Sequence, residues 1–582
     1  MHELRLSRDF NRTRDRTFDV AIVGGGITGV AIAREAAARG LDVCLVEKND
    51  FGWFTSSATS KLLHGGLRYL EHYEFGLVRE SIAERRRVGN ASSHLVRELG
   101  IRIPVYRGQK VGRFQLKLGF LIYDALAWDR NKGVAEDLRL PRHNWLSAGR
   151  LSQMVPAVPS ANLRGAFTYY EYQSVHPERL TLDWALTAVR AGALLFNHTR
   201  LERFEMGKEP DGSRRIDAAI VKDLESGSEH TLRARVFVNA SGPWMEEVLG
   251  LAGNQPGHRL SKSTGIHFVT RPLFNHDHGL LFYTKDGGTF FVIPWQGHSL
   301  IGLTDAPYEG SPDDVVPRQF EVEQIYSYVN ETLPGRPLRP DMIRNIIVGI
   351  RPLVFSGEKT TRAASRKFEI YDHGHEHHSA EEGIRGFVSV AGGKWTTSRR
   401  LGHDVVEELL HKSELAGRRT NIRPSDRRYP VVGSCGYGES ARDYLAYARE
   451  QARSRKHPVD EDVLKQLVQS YGTRHTEILD RIDQDPDLAA PIEAANEGLA
   501  PHEVLAQIDQ AIEAESAQSL DDIVRRRLLL GTVGRPTDET LARIASHAAR
   551  LTGWDEKRRE REIEQVVEFY RRALEPLKHL RD

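Results

Sequence analysis

Residues 18–50 read FDVAIVGGGITGVAIAREAAARGLDVCLVEKND, and few folds can accommodate such a stretch. A β-branched run, Val20 to Val23, ends in glycines. The spacing then predicts a helix with Val30, Ile32, Ala33 and Ala37 on its apolar side, closed by Gly40, and a second strand from Val43 to Val46 that stops at Glu47. Together these make a βαβ unit, which needs a parallel sheet around it. Gly24, Gly26 and Gly29 fit the GxGxxG pattern, with Gly25 and Thr28 between them. The pattern is weak alone, but here it follows a strand, opens a helix, and an acid ends the next strand at the expected distance. Glycines allow a pyrophosphate close to the backbone at a helix N-terminus, where free N–H groups and the helix dipole favour anions. Glu47 is expected to accept ribose hydroxyls and to repel a 2′-phosphate.

The fingerprint does not choose between NAD and FAD. No second GxGxxG stands in a strand–turn–helix setting, so a flavin here points to a small substrate as the electron source.

Two later segments also run an apolar strand into a small-residue turn: ARVFVNASGPW and GFVSVAGGKWTTSRRLGHDVVEELL. In the latter, Gly392 and Gly393 precede Thr396 and Thr397, which suit a helix cap. Beside a flavin, that helix N-terminus would stabilise negative charge on the reduced ring. GGTFFVIPWQGHSLIGLTD and RKFEIYD alternate as antiparallel strands do. The expected class is therefore α/β: a Rossmann-type dinucleotide core interleaved with an antiparallel-sheet substrate domain, over residues 1–424. From 425 to 582 helical spacing dominates, as in WDEKRREREIEQVVEFYRRALEPL, and a helical C-terminal domain is expected.

Arg68, Arg351, Arg366 and Lys394 each stand in turn contexts, and brought together they would clamp a phosphate or carboxylate. The histidine runs around His276 and His278, and from His373 to His378, lack the spacing of a catalytic zinc site, so no metal is expected. Neither a GxSxG elbow nor a Walker A motif occurs. With 81 basic and 80 acidic residues, nothing argues for nucleic acid. The two cysteines, Cys44 and Cys435, offer no disulfide framework, which fits a reducing compartment. No apolar run reaches the ~18–20 residues that cross a bilayer. The arginine-bearing start reads as a solvated tail. RFQLKLGFLIYDALAW mixes basic and apolar residues, as either an interfacial segment or a buried helix would. A cytoplasmic protein is expected, or one peripheral on the inner face of the membrane.

The ordered blocks DVAIVGGGITGVAIAREAAARGLDVCLVEKNDF, TSSATSKLLHGGLRYLEHYEFGLVRESIAER, NASGPW, FVIPWQGHSLIGLTD, GIRPL and AGGKWTT resemble the FAD-dependent glycerol-3-phosphate dehydrogenases, within the glycine/D-amino-acid oxidase-like flavoproteins. The resemblance covers roughly residues 18 to 410. It implies oxidation of sn-glycerol 3-phosphate to dihydroxyacetone phosphate, with hydride passing from C2 to FAD and electrons going on to a quinone. It further implies that Arg68, Arg351, Lys394 and Arg366 hold the phosphate or polarise the substrate oxygens. His64, His267 and Arg351 all stay open as the group that takes the hydroxyl proton. Ser56, Ser57, Ser60, Lys61 and Leu62 would line the FAD, together with Lys48, His64, Gly65, Gly66, Ala240, Gly242 and the turn from Gly392 to Thr397. This chain departs from the family pattern at Trp53-Phe54, Trp395 and Ser398, which bears on substrate preference. An oxidase delivering electrons to oxygen and a flavin-binding redox sensor without turnover are the competing readings. One-sided membrane contact and a homo-oligomer stay open.

Overall fold

In a computed structural model, residues 4–253, 260–274, 277–355, 367–374, 383–418, 430–436, 438–492 and 502–580 are described. The β-branched run forms the strand Thr17–Val23, the small-residue segment after it forms the helix Ile27–Ala38, and Val43–Val46 is the next strand. Thr17–Val23 lies at the centre of a sheet, parallel to Val43–Val46 on one side and to Glu229–Asn239 on the other. Phe387–Gly392 adds in parallel beyond Glu229–Asn239, and Leu194–Phe196 in parallel beyond Val43–Val46. The segment RKFEIYD is antiparallel, as its alternation predicts, but it pairs with Phe387–Gly392 at the edge of this sheet rather than in the substrate sheet. The first helix is buried on nearly all sides between Pro177–Arg190 and Ser398–Leu410, which explains its alanine content: large side chains would hold the helices apart.

All parallel strands end at one edge. That edge carries the GGGITG turn, the Ala240–Gly242 turn and the Gly392-Gly393 turn, the setting in which open α/β sheets bind ligands. A second, largely antiparallel sheet contains Leu260–Thr270, Ile343–Val354, Thr289–Trp295, His298–Gly302, Val96–Tyr106 and Leu163–Ser174. Its strands come from between those of the first sheet in sequence, so the two sheets are interleaved along the chain. From Ala441 onward the described elements are helical, with their own apolar cluster built on Leu467, Ile478, Ile508, Ile523 and Leu541.

RFQLKLGFLIYDALAW forms the helix Arg113–Leu126, which packs on the core by one face and leaves an apolar face exposed. Leu116, Phe120 and Tyr123 are buried, while Phe114, Leu118 and Leu121, spaced four and three residues apart, are exposed on the opposite side. Among the described residues no helix is long and apolar enough to cross a membrane. Leu67 and Leu70, on the 3-10 helix Leu67–His72, are half-buried and pack against Val78, Ile82 and Tyr123.

Candidate functional site

The three turns of the first sheet face the second sheet across a cavity of about 2270 Å³. At one end lies the first glycine loop. Gly24 is left-handed at φ +111, and a Cβ on it would stand 2.6 Å from the Ala240 carbonyl oxygen. A Cβ on Gly29 would stand 1.9 Å from the Gly24 carbonyl oxygen. Only glycine lets the loop close this tightly over the helix N-terminus. Gly24, Gly26 and Thr28 line the cavity, and the Ser56 hydroxyl accepts from Ile27 N–H at 2.9 Å. Gly25 and Gly29 lie behind the lining and shape it.

Glu47 lines the same end but also has internal partners. Its carboxylate accepts from Gly25 N–H at 2.6 Å and Asn49 N–H at 2.8 Å. Burial pushes the carboxyl up from its ordinary value, against the pull of those two donors. Lys48 lies 4.1 Å from the centre of the Trp244 ring and pairs with Asp313 at 2.6 Å. Trp53 and Phe54, the departures from the family pattern, meet Trp244 at ring distances of 6.0 and 5.0 Å, and the three form an aromatic wall of the cavity.

At the other end, strand Leu260–Thr270 presents Ser263, Gly265 and His267 on one face, since alternate residues share a side. Arg351, paired in register with Ser263, crosses over Gly265: a Cβ there would stand 2.0 Å from its Nη2. A Cβ on Gly302 would stand 2.4 Å from His267 Cδ2. These glycines make room for functional side chains. Arg351 donates to the Thr264 carbonyl at 3.1 Å and the Thr304 carbonyl at 3.0 Å, with Asp305 at 3.5 Å. His267 is buried, and its Nε2 is 3.0 Å from the Ser60 hydroxyl. Burial, then the charges of Arg351 and Lys61, bring its pKa down to about 3, so the imidazole is neutral.

The second glycine turn, left-handed at Gly392 and Gly393, brings Lys394 to the cavity, 4.2 Å from the Tyr69 ring centre and 2.8 Å from the Ser81 hydroxyl. Thr396 accepts from His64 N–H at 3.3 Å, which ties the turn to the HGGLR segment. His64, Gly66, Leu62 and the exposed Arg68 line the cavity beside Ala240 and Gly242.

Four of the residues expected at the cofactor, Lys61, Ser57, Thr397 and Gly65, lie outside the cavity lining. Lys61 points away from the cavity, fully buried, pairing with Glu178 at 2.8 Å over the Trp295 ring. The Ser57 hydroxyl caps its own turn on the Phe54 carbonyl at 2.8 Å. Thr397 is buried and its hydroxyl turns back to the Lys394 carbonyl. Gly65 also stays outside the lining: its N–H donates to Glu171 at 2.9 Å, and a Cβ would stand 2.0 Å from the Tyr123 hydroxyl. Arg366, His276, His375, His377 and His378 lie outside the described residues. No group of three or more metal-ligating side chains occurs among the described residues.

Sequence reasoning passed over Glu171 and Trp244. Glu171, buried with Arg85 and Tyr123, holds the HGG backbone in place. A lone acid in the aromatic strand FTYYEYQ was its signal.

Residues 19–399 match the family described as FAD dependent oxidoreductase, and residues 426–559 match the C-terminal domain of alpha-glycerophosphate oxidase. A protein of Synechocystis sp. named glycerol-3-phosphate dehydrogenase is 31% identical over 578 residues, covering 97% of this chain and 98% of the relative. This chain belongs to the FAD-dependent glycerol-3-phosphate dehydrogenase and oxidase family. The aerobic glycerol-3-phosphate dehydrogenase of Staphylococcus saprophyticus is also 31% identical, over 80% of each chain. The fold matches that of a glycerol-3-phosphate dehydrogenase from Bacillus halodurans complexed with FAD, with a TM-score of 0.74 over 99% of both chains at 23% identity.

The cofactor of this family is FAD, and the residues present fit it. The loop that a Cβ on Gly24 or Gly29 would force apart, the helix N-terminus and Glu47 suit a pyrophosphate and its ribose. The cavity continues from there to the second glycine turn, where the N-terminus of helix Ser398–Leu410 would favour negative charge on a bound isoalloxazine.

Proposed function

We propose that this family member oxidises sn-glycerol 3-phosphate to dihydroxyacetone phosphate and passes the electrons to a membrane quinone. The reading rests chiefly on one observation: Arg351, His267 and Ser60 meet on a glycine-bared strand face in the same cavity as the two glycine turns. FAD supplies the hydride acceptor when bound. Arg351, with Arg68 and Lys394 lining the same cavity, holds the phosphate; guanidinium–phosphate hydrogen bonds are charge-assisted and set the orientation of C2.

His267 takes the hydroxyl proton, directly or through Ser60. Its low proton affinity is raised for this task by the substrate: a phosphate dianion against Arg351 offsets the charge that holds the imidazole down. His64, its backbone tied to Thr396, positions the turn that carries Lys394.

The acceptor reading draws on the cavity mouth. Tyr73, Phe75 and Leu118 are exposed and line the cavity, and Phe114 and Leu121 extend the apolar face beside them. Arg113 and Lys117 flank it, as on a helix that lies in an anionic lipid interface. A lipophilic quinone entering there would meet the cofactor without crossing bulk water. Peripheral association with the inner face of the membrane and the division of the chain at residues 424 and 425 belong to the same reading. Oxygen as acceptor is the second reading, favoured by the oxidase for which the C-terminal match is named.

The deciding experiment adds glycerol 3-phosphate to the enzyme under argon, follows bleaching of the flavin, then compares reoxidation by a short-chain quinone with peroxide yield in air. Bleaching followed by faster reoxidation with quinone supports the proposal. Absence of bleaching sinks the substrate, and stoichiometric peroxide at a rate no quinone exceeds sinks the acceptor.

A further inference from the structure

The helical region beyond Ala441 lines none of the cavity, yet it reaches the cofactor loop from behind. Asp50, three residues after Glu47, is fully buried. Its carboxylate accepts from Arg526 Nε at 2.9 Å and from both Nη atoms of Arg527, at 2.5 and 2.9 Å. Asn197 Nδ2 adds a fourth hydrogen bond at 2.9 Å. The two arginines lie in the π-helical turn Ile523–Arg527, more than 470 residues along the chain. A neighbouring contact runs in parallel: His198 pairs with Asp522 at 2.8 Å, and its N–H donates to the Asn49 carbonyl at 2.7 Å. The segment Glu47–Asp50 is therefore held at its back by the helical region. At its front Glu47 holds the glycine loop by accepting from Gly25 N–H, and just beyond the segment Gly52 N–H donates to the Gly25 carbonyl at 3.0 Å.

This arrangement differs from ordinary docking of one unit on another. An apolar contact tolerates small slides, whereas a bidentate arginine on a carboxylate fixes direction as well as distance. The charges are also matched inside the junction: Arg526 meets Asp522 at 2.5 Å, and Arg527 Nε lies 3.8 Å from the Glu515 carboxylate. A buried carboxylate deprived of its partners is strongly disfavoured, so Asp50 cannot move toward the cavity without uncovering the arginines.

The geometry points to the C-terminal helical region as a brace on the cofactor loop, with Asp50 as the positioning residue that sets how tightly the dinucleotide is held. By linkage, the bound dinucleotide strengthens the docking of the helical region to the same degree. This inference concerns FAD retention and is independent of which acceptor takes the electrons.

The test measures FAD release from full-length holoenzyme, as recovery of free-flavin fluorescence after dilution, with thermal unfolding followed in parallel. Asp50→Asn should release FAD at least tenfold faster than the parent. His547→Gln is the control: it breaks the buried His547–Asp509 contact inside the helical region, and among the described residues the hydrogen-bonding partners of the Asp50 carboxylate are Asn197, Arg526 and Arg527 instead. It should lower thermal stability while release stays within twofold of the parent. Release from Asp50→Asn within twofold of the parent overturns the inference. Equal acceleration in both variants at equal loss of thermal stability also overturns it, since general loosening would then be the cause. Should Asp50→Asn yield no folded holoenzyme, Arg527→Lys, which keeps the charge but loses the fork on Asp50, is read by the same criteria.

Discussion

Replacing Arg351 by alanine tests the substrate end of the cavity most directly. The side chain reaches over Gly265 and donates to the Thr264 and Thr304 carbonyls, so its guanidinium is aimed before any substrate arrives. A charge-assisted hydrogen bond contributes about 1.5–3 kcal/mol, and a guanidinium gripping a phosphate by two such bonds about 3–5 kcal/mol. At about 1.4 kcal/mol per factor of ten, kcat/KM for glycerol 3-phosphate should fall by roughly 10²- to 4 × 10³-fold. Arg351→Lys should recover part of that loss, since it keeps the charge and gives up the fork.

The same substitution removes a charge that depresses the proton affinity of His267, so the pKa of that imidazole should rise in the free enzyme. The acid limb of the kcat/KM profile should then move to higher pH. FAD content, read from the 450 nm band against protein, should stay at the parent's value because the described hydrogen bonds of Arg351 go to Ser263, Thr264 and Thr304. Flavin reduction under argon in a stopped-flow instrument gives the rate without interference from the acceptor. Retention of kcat/KM within threefold would refute the reasoning, and loss of FAD along with activity would place Arg351 in the cofactor site instead.

Gly29→Ala brings a Cβ to 1.9 Å from the Gly24 carbonyl oxygen, so the loop must open by more than an ångström, and purified protein should carry little FAD; full flavin content would refute the tight-loop reading. For His267, the native state refuses a proton until its pKa near 3, while an unfolded histidine binds one near 6.5. The stabilisation is therefore complete above pH ~6.5 and is lost as pH falls toward 3, by about 2 kcal/mol at pH 5. His267→Gln, which cannot titrate, should accordingly show a smaller Tm drop between pH 7.5 and 5 than the parent, and parallel Tm curves would contradict the assignment. Leu118→Glu should cut cosedimentation with anionic vesicles at least fivefold while leaving flavin bleaching by substrate intact; unchanged cosedimentation would remove that helix from the membrane reading.

Local features of the sequence carried over well where the chemistry is local. The strand, helix and strand from Thr17 to Val46 follow from β-branching, small-residue spacing and Gly40, and the central sheet follows from three strands that each end in a small-residue turn. The interleaving of the two sheets was also legible, because alternating strands stand between those turns. What did not show were partnerships set by distant residues. Lys61 stands among serines in a cofactor-like motif, but Glu178 and Trp295 draw it into the interior. Ser57 and Thr397 have the composition of ligand-binding hydroxyls and are used on their own turns, a competition that nearby carbonyls win. Nothing near Asp50 indicates that its partners lie at 526 and 527. Gly265 and Gly302 were readable in principle: a glycine inside a strand marks the close approach of another group, here Arg351 and His267.

The order of strands in the central sheet has a consequence during synthesis. Glu229–Asn239 pairs with Thr17–Val23 on one side and with Phe387–Gly392 on the other. At roughly 5–20 residues per second, some 20 to 70 s separate the emergence of the first strand from that of the last. For that interval the apolar run from Val20 to Val23 and its neighbour from Val43 to Val46 exist on the ribosome without a finished sheet. The Gly392 turn is also still missing, and the arginines that grip Asp50 arrive later still. A nascent chain of this kind presents unpaired strand edges for most of its synthesis, so its yield in a cell should depend on holding chaperones and elongation rate more than on the stability of the finished fold.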